Sequence, residues 1–251
     1  MEHIFDVKKT TKECVQWIRN WFEENGKGCN AVIGISGGKD SSVAAALCVE
    51  ALGKDRVYGV MMPNGYQSDL ADAARVCEVL DIKNTTIYIN DIFAKFIDEV
   101  KWTNITPSEQ TRINLAPRIR MTMLYAISQS INGRVVCTDN LSESYIGYST
   151  RWGDNVGDFA PLAWFTSDEV VAIGDELGLP YELTHKTPAD GLCGKTDEDN
   201  FGFTYEQLNT YIHTGECDDE AVKEKIESLY EKNVFKLNPI PKFVPTSYFL
   251  Y

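Results

Sequence analysis

The feature that most constrains the fold is a glycine-rich turn that joins an apolar run to an Ala- and Val-rich stretch. The turn reads Gly34-Ile35-Ser36-Gly37-Gly38-Lys39-Asp40-Ser41-Ser42. Residues 31–35 predict a short buried strand before it, and residues 39–52 predict a helix after it. Glycines let the backbone approach an anion closely, while the helix N-terminus and the serine hydroxyl groups supply hydrogen-bond donors. The turn therefore predicts a phosphate-binding loop.

The residue after Lys39 separates this turn from the common NTPase loop, in which Ser or Thr follows Gly-Lys. Here Asp40 follows Lys39. A carboxylate inside a phosphate loop repels the phosphates unless a cation lies between them, so Asp40 predicts Mg²⁺. A tight glycine turn with a serine cap is the alternative interpretation.

Predicted strands and helices alternate along the first half of the chain. The strands are expected at 31–35, 57–62, 85–89 and 134–138, and the helices at 10–25, 39–52, 68–80 and 112–131. Such alternation favours right-handed βαβ units, and hence an α/β protein with a parallel sheet flanked by helices. Ligands of these sheets bind at the carboxyl ends of the strands. Further helices are expected near 166–177 and 218–231.

The chain of 251 residues is expected to form a single domain over 1–251. An amphipathic helix occupies the N-terminal segment 1–28, and a Pro- and aromatic-rich tail covers 236–251. Between them, the loop at 185–203 is long enough to serve as a lid.

The overall charge and the N-terminal composition exclude several classes of protein. A formal net charge of −13 repels phosphate backbones, so nucleic acid is not expected as a main partner. Acidic residues interrupt the first 25 positions and no apolar run reaches membrane-spanning length, which predicts a cytoplasmic protein without a membrane partner. Seven scattered cysteines without a C-x-x-C pair give little support for disulfides or zinc.

The loop Ser36-Gly37-Gly38-Lys39-Asp40-Ser41 resembles that of the ATP pyrophosphatase superfamily, whose members form an adenylate and release pyrophosphate. Three further segments resemble NAD synthetases. Residues 114–121 match a segment ending Arg-x-Arg-Met, residues 138–143 match Thr-Asp-x-x-x-Glu, and residues 147–158 match a Gly-x-x-Thr-Lys-Tyr-Gly-Asp run. These segments keep their order and spacing, and the resemblance covers about residues 30 to 215. It implies the adenine nucleotide alpha-hydrolase-like fold.

The resemblance also implies roles for individual residues. ATP would contact the loop, at Gly34, Ile35, Ser36, Gly37, Gly38, Lys39, Asp40 and Ser41, together with Thr138 and Ser167. Asp40 and Glu143 would bind Mg²⁺, with Asp40 counted as catalytic. The deamido-dinucleotide would contact Arg118, Arg151, Asp158 and Lys236. Each residue has a plainer alternative: Arg118 could be a solvated charge on a helix, and Glu143 a helix-capping surface residue.

Three positions depart from the family pattern. Ser167 stands where the family has an ATP-contacting Lys, and Thr187 matches only loosely a family hydroxyl donor. Phe235-Lys236 takes the place of a His-Lys pair. Positive charge near the phosphates could instead come from Lys39, Lys186 or Lys195.

The implied reaction has two steps, with ATP as co-substrate. The carboxylate of nicotinic acid adenine dinucleotide (deamido-NAD) attacks the α-phosphorus of ATP and pyrophosphate leaves. Ammonia then attacks the acyl adenylate, giving NAD and AMP. Ammonia is expected from solution because the sequence shows no glutaminase domain, and Asp154 and Asp158 are the candidates that hold ammonium and accept its proton. Both could instead be solvated loop acids.

Two other functions stay open from the sequence: a tRNA-modifying or other amidating relative, and a sensor that binds ATP or NAD without turnover. The acidic charge disfavours the first, and the presence of both Asp40 and Glu143 disfavours the second. By resemblance the protein is expected to be a homodimer, paired through the helix at 112–131 and the tail after Lys236.

Overall fold

A parallel sheet forms the centre of the molecule. The computed structural model describes residues 4–66, 69–186 and 196–245. Its four parallel strands are β1 (Asn30–Gly34), β2 (Val57–Met61), β3 (Lys83–Thr86) and β4 (Gly133–Val135), in the order β3-β2-β1-β4. In the register, Ala31 of β1 pairs with Val57 on one side and with Arg134 on the other. The predicted α/β architecture is confirmed.

Eleven helices of the described residues surround this sheet. They are α1 (Val7–Asn25), α2 (Lys39–Leu52), α3 (Leu70–Val79), α4 (Asn90–Trp102), α5 (Glu109–Ser130), α6 (Leu141–Ile146), α7 (Ser167–Glu176), α8 (Tyr181–Thr184), α9 (Asp197–Phe201), α10 (Tyr205–Thr214) and α11 (Glu220–Asn233). Short 3₁₀ helices lie after α2, at Lys54–Arg56, and after α11, at Val234–Lys236. No helix among these residues is both long enough and apolar enough to cross a membrane.

The alternation of side chains along β1 explains why helices cover both faces of the sheet. Ala31 and Ile33 point into a core formed with α1, α2, α3 and α7, whereas Val32 points into a second core formed with α4 and α5. Successive strand residues face opposite sides, so a strand buried on both faces needs an uninterrupted apolar run. The sequence supplies that run directly before the glycine turn.

A third, smaller core lies at the C-terminal end of the described chain. Ile146 of α6 packs there with Leu208 of α10 and Ile226 of α11. Tyr145 stacks on Tyr230, with ring centroids 4.7 Å apart. These contacts hold the short helix α6 against the C-terminal helices. They therefore fix the position of its first turn, which carries Glu143.

Several predicted boundaries were wrong, and each error has a physical reason. β3 spans Lys83–Thr86, earlier than the predicted 85–89, because this edge strand is polar and mostly exposed and takes its register from β2. β4 ends at Val135, before the predicted 138, and Val136 then forms an isolated bridge with Phe159. The predicted helix 68–80 is observed as α3, and residue 68 lies outside the described residues.

Helices α4, α6, α8, α9 and α10 were not predicted. α4 fully buries a single side chain, Ile97, while α6, α8 and α9 are only six, four and five residues long. α9 occupies part of the predicted lid at 185–203. Residues 187–195 of that loop, with Thr187 and Lys195, lie outside the described residues, as does the tail beyond 245.

Gly147 gives a stability prediction. It ends α6 at a φ of 67°, and a Cβ there would lie 2.1 Å from Cβ of Asn233 on α11. A Gly147→Ala variant must therefore displace α11, at a cost of about 1–3 kcal/mol in the free energy of unfolding beyond the strain of the positive φ. Urea unfolding measures this loss.

The matched control is Gly178→Ala. Gly178 also has a positive φ, 75°, but no heavy atom lies within 4 Å of the position of its Cβ. The Gly178→Ala variant therefore measures the strain of a positive φ alone, without a steric clash. Equal losses in the two variants would contradict close packing of α11 on α6.

Candidate functional site

The candidate site lies where the order of strands reverses. β1, β2 and β3 follow one another toward one edge of the sheet, whereas β4 lies on the other side of β1. Connections leave β1 and β4 in opposite directions at such a switch point, which opens a crevice at the carboxyl ends of these strands. The glycine turn follows β1, and the Thr138–Glu143 segment follows β4, so both predicted motifs lie at this crevice.

The glycine turn has the geometry of an anion-binding loop. Gly37 has a φ of 84°, and a Cβ there would lie 2.7 Å from the carbonyl oxygen of Asp69 and 2.8 Å from the amide of Ala73. α2 starts after Gly38, and no side chain caps its first amides. Close packing on α3 thus requires glycine at position 37, and the uncapped N-terminus of α2 is available to bind a negative group.

Hydrogen bonds among the loop residues hold this shape. The amide of Gly38 donates to Oγ of Ser36 over 3.2 Å, and Oγ of Ser41 donates to the carbonyl oxygen of Gly38 over 3.1 Å. The hydroxyl groups of Ser36 and Ser41 lie 3.1 Å apart. The serines therefore stabilise the shape of the turn itself.

Asn140 joins the loop to the segment that follows β4. Its Nδ2 donates to Oδ1 of Asp40 over 2.9 Å, and its Oδ1 accepts from the amide of Glu143 over 3.0 Å. Asn140 is fully buried and is the N-cap of α6. One side chain thus orients Asp40 and fixes the helix that carries Glu143.

Asp40 and Glu143 form the carboxylate pair that was expected to bind a cation. Burial raises the pKa of Glu143 well above its usual range, and the charge of Asp40 raises it further, whereas Lys39 opposes the shift. Among the described residues no group of three or more His, Cys, Asp or Glu side chains is arranged as a metal site. Mg²⁺ commonly uses one or two carboxylates, completed by phosphate oxygens and water, so this pair fits that ion beside a phosphate-binding loop.

Lys39 is buried beside this pair. Its Nζ lies 2.8 Å from Oδ2 of Asp40 and 5.6 Å from the ring centroid of Tyr205 on α10. Burial alone would lower the pKa of Lys39, but the charges of Asp40, Glu143 and Asp197 outweigh it and raise the pKa. Lys39 therefore faces carboxylates, and its ammonium group is charged.

Thr138 and Ser167, the two other predicted ATP contacts, differ in exposure. Thr138 lies half-buried three residues beyond the end of β4, next to Asp139. Ser167 is the first residue of α7 and is buried, with its amide donating to Oγ of Ser142 over 2.9 Å. Of the suggested replacement lysines, Lys186 binds carboxylates of Asp69 and Asp72, each at 2.6 Å.

The loop between α6 and α7 carries two of the four residues predicted to bind the second substrate, Arg151 and Asp158. The guanidinium group of Arg151 lies between two aromatic rings, 5.0 Å from the centroid of Trp152 and 5.3 Å from that of Phe235. Nε of Arg118 on α5 donates to the carbonyl oxygen of Arg151 over 3.3 Å. The side chain of Arg118 therefore contacts the backbone of the loop at the residue that carries the second cation.

Lys236 fastens the start of this loop. Its Nζ donates to the carbonyl oxygens of Gly147 and Ser149, over 2.7 and 3.1 Å. Burial lowers the pKa of Lys236, and the nearby charge of Asp154 counteracts this. In this arrangement Lys236 supports the backbone beside Arg151.

The two predicted catalytic acids of the loop have different surroundings. Oδ2 of Asp158 accepts from the amide of Val135 over 2.7 Å, which extends the pairing of β4. Asp154 is exposed, yet desolvation by its neighbours raises the pKa of its carboxyl, offset in part by the amide of Thr150. Asp158 is thus tied to the sheet, and Asp154 is tied to its own loop, where it accepts from the amide of Thr150 over 2.5 Å.

Sequence reasoning missed four side chains of this site. They are Asn140, Asp139, Asp197 and Tyr205. Asn140 carried a local signal, since Asn before a helix is a common N-cap. Burial first, and then the charges of Asp154 and Asp40, raise the pKa of Asp139 well above its usual range. Tyr205 and Asp197 lie more than 150 residues beyond the glycine turn, and no local pattern connects them to it.

Comparison with known proteins agrees with this geometry. A family model described as NAD synthase matches residues 10–240. The NH(3)-dependent NAD(+) synthetase of Thermococcus kodakarensis is 38% identical over 208 residues, which cover 82% of this chain and 80% of that protein.

Two solved structures have the same architecture. That of NMN synthetase from Francisella tularensis has a TM-score of 0.87 and 30% identity, covering 97% of this chain and 100% of the other. That of NH3-dependent NAD synthetase from Campylobacter jejuni has a TM-score of 0.78 and 28% identity, covering 96% and 100%. These likenesses confirm the adenine nucleotide alpha-hydrolase-like fold and the resemblance inferred from the motifs. The chain belongs to the NAD synthase family.

Proposed function

We propose that this chain is an ammonia-dependent NAD synthetase, which activates deamido-NAD as its adenylate with ATP and then amidates it with ammonia. The observation that carries the proposal is the Asp40–Asn140–Glu143 arrangement beside an uncapped helix N-terminus, in a member of the NAD synthase family. A phosphate-binding loop flanked by two carboxylates suits a reaction in which pyrophosphate departs.

In the first step, the substrate carboxylate forms a bond to the α-phosphorus of ATP, and the bond to pyrophosphate breaks. The amides of the first turn of α2 bind the phosphates, and Thr138, three residues beyond the end of β4, is our candidate for a further contact of ATP. Asp40 and Glu143 would hold Mg²⁺, which supplies positive charge to the departing pyrophosphate. The role of the chain is to align and neutralise charged groups.

In the second step, ammonia forms a bond to the acyl carbon, and AMP leaves. Ammonium must lose a proton before it can attack. We assign this proton to Asp154, because desolvation raises the pKa of its carboxyl and so makes it a stronger base than an ordinary carboxylate. A base must be ionised to act, and the raised pKa of Asp154 brings its ionisation closer to neutral pH. Turnover is therefore expected to rise with pH.

Arg118 and Arg151 are our candidates for binding the anionic nucleotide substrate. Arg151 is held between Trp152 and Phe235, so little side-chain entropy is lost when it binds a phosphate. Lys236, which holds the carbonyl groups of Gly147 and Ser149, is placed to support Arg151 rather than to replace it. Ser167 remains a proposed contact of ATP through its hydroxyl group, because its amide already donates to Oγ of Ser142.

A second candidate substrate comes from the comparisons. The solved structure with the TM-score of 0.87 is that of an NMN synthetase, a protein named for the mononucleotide. The same chemistry would then amidate nicotinic acid mononucleotide. The two substrates share the carboxylate and the first phosphate, so the residues described above serve either one.

The test of the function is formation of the amide by the purified chain from ATP, Mg²⁺ and ammonium, with deamido-NAD and nicotinic acid mononucleotide offered in separate reactions. We expect NAD and AMP in equal amounts, a higher kcat/KM for the dinucleotide, and little product when glutamine replaces ammonium. Product analysis by liquid chromatography measures all three.

Three outcomes would change the assignment. A higher kcat/KM for the mononucleotide would favour the second candidate. Equal rates with glutamine and ammonium would refute ammonia as the specific nitrogen source. Binding of ATP without AMP formation from either substrate would indicate a sensor.

Removal of either carboxylate should reduce turnover. Asp40→Asn and Glu143→Gln each remove one charge from the proposed ion site, and we expect kcat to fall about 10²-fold, the scale of losing one group that stabilises a transition state. Glu143→Gln also relieves repulsion with Asp40, so its free energy of unfolding should equal or exceed that of the parent chain. Steady-state kinetics and urea unfolding measure the two effects.

The matched comparison for these variants is Arg151→Ala. It should raise the KM of the nucleotide substrate about tenfold or more, since a charge-assisted hydrogen bond contributes about 1.5–3 kcal/mol, with a smaller change in the KM of ATP. Normal rates of Asp40→Asn and Glu143→Gln at saturating Mg²⁺ would contradict the metal assignment. A larger effect of Arg151→Ala on the KM of ATP than on that of the nucleotide substrate would indicate that Arg151 belongs to the ATP site.

We further propose a homodimer, paired through α5 and the tail after Lys236. Ile113 on α5 is exposed, and the tail exposes four large apolar side chains close together in sequence, Leu237, Ile240, Phe243 and Val244. A group of exposed apolar side chains, unlike a single one, marks an interaction surface. Light scattering at micromolar concentration should give twice the mass of the chain. A monomer at that concentration would contradict the proposal.

A further inference from the structure

Lys39 occupies an unusual place for a lysine in a glycine-rich phosphate loop. Its side chain is only 4% exposed, and its Nζ lies 2.8 Å from Oδ2 of Asp40. The ring of Tyr205, with its centroid 5.6 Å from this Nζ, closes the other side. A buried ammonium group is costly unless carboxylates compensate its charge. The environment of Lys39 therefore has to supply negative charge.

That charge comes from three separate elements. Asp40 on α2 contacts Lys39 directly, Asn140 joins Asp40 to Glu143 on α6, and Asp197 on α9 accepts from the tyrosine whose ring covers Lys39. The hydroxyl group of Tyr205 lies 3.2 Å from Oδ2 of Asp197 and orients that carboxylate. The ammonium group of Lys39 thus lies in the field of both proposed metal ligands and of a third acid from the C-terminal helices.

We propose that Lys39 is a positioning residue that acts as a built-in counter-ion: its ammonium group holds the carboxylate of Asp40 and limits how strongly Asp40 and Glu143 attract a divalent cation. This inference rests on the metal site of the proposed function. A fixed positive charge next to a metal ligand repels an incoming cation, and it also stabilises the carboxylates in the absence of that cation. The net charge of the cluster, rather than a direct contact of Lys39 with ATP, is then what the residue controls.

Lys39→Met tests whether Lys39 limits the binding of a divalent cation, because Met has a similar length and no charge. The probe is Mn²⁺ without nucleotide, titrated at mildly alkaline pH and followed by electron paramagnetic resonance. We expect Mn²⁺ to bind about tenfold more tightly than to the parent chain, since one positive charge is lost. Unfolding without metal should require less urea, because the carboxylates repel one another.

Charge compensation separates this role from a merely structural one. Asp197→Asn removes one negative charge from the same cluster and should weaken Mn²⁺ binding about tenfold. The double variant, Lys39→Met with Asp197→Asn, has the net charge of the parent and should bind Mn²⁺ within about threefold of it. Damage to the fold would weaken binding in all three variants, so the opposite signs of the single changes are diagnostic.

Lys54→Met is the matched control. Lys54 also pairs with a carboxylate, that of Asp81, but at an exposed position after α2. Its loss should leave Mn²⁺ binding within about twofold of the parent, because water screens exposed charges.

Two results would overturn the proposal: weaker or unchanged Mn²⁺ binding in Lys39→Met, or no Mn²⁺ binding by the parent chain. The amide-forming assay is independent of both. A chain that forms NAD but fails these titrations would retain the proposed function and lose the role of Lys39.

Discussion

The hydrogen bond from Asn140 to Asp40 is the interaction on which the candidate site depends. It joins two residues that lie 100 positions apart, and Asn140 simultaneously caps α6 through the amide of Glu143. Two carboxylates therefore meet at the switch point of the sheet, where β1 and β4 end side by side. Their mutual repulsion is a cost that the rest of the fold has to offset, which is common where binding needs a charged site.

The C-terminal helices offset part of that cost. α10 packs against α6 and contributes Tyr205, and the segment before it contributes Asp197, so the ammonium group of Lys39 is enclosed beside Asp40. Lys236 then holds the carbonyl groups at the start of the loop that carries Arg151. The sheet places the strand ends, but this last part of the chain determines the surroundings of the charges.

The accuracy with which each helix or strand was predicted depended on the strength of its local sequence pattern. The helix after the glycine turn was expected at 39–52 and is observed there, because an Ala- and Val-rich run between Gly38 and Gly53 has clear ends. The edge strand β3 was placed too late, since its residues are polar and only pairing with β2 defines it. The site followed the same rule: the loop and Glu143 lie in recognisable motifs, whereas Tyr205 and Asp197 do not.

The sequence by itself determined the alternation of strands and helices, the anion-binding turn, and the family to which the chain belongs. Each of these is encoded within a short window by apolar period, glycine and carboxylate spacing. Only the tertiary structure decided that Lys39 faces Asp40 and Tyr205, and that Asp158 is tied to the amide of Val135 while Asp154 is tied to that of Thr150. The direction of a charged side chain depends on the groups that surround it, and these come from elements far apart in the chain, so no local pattern could specify it.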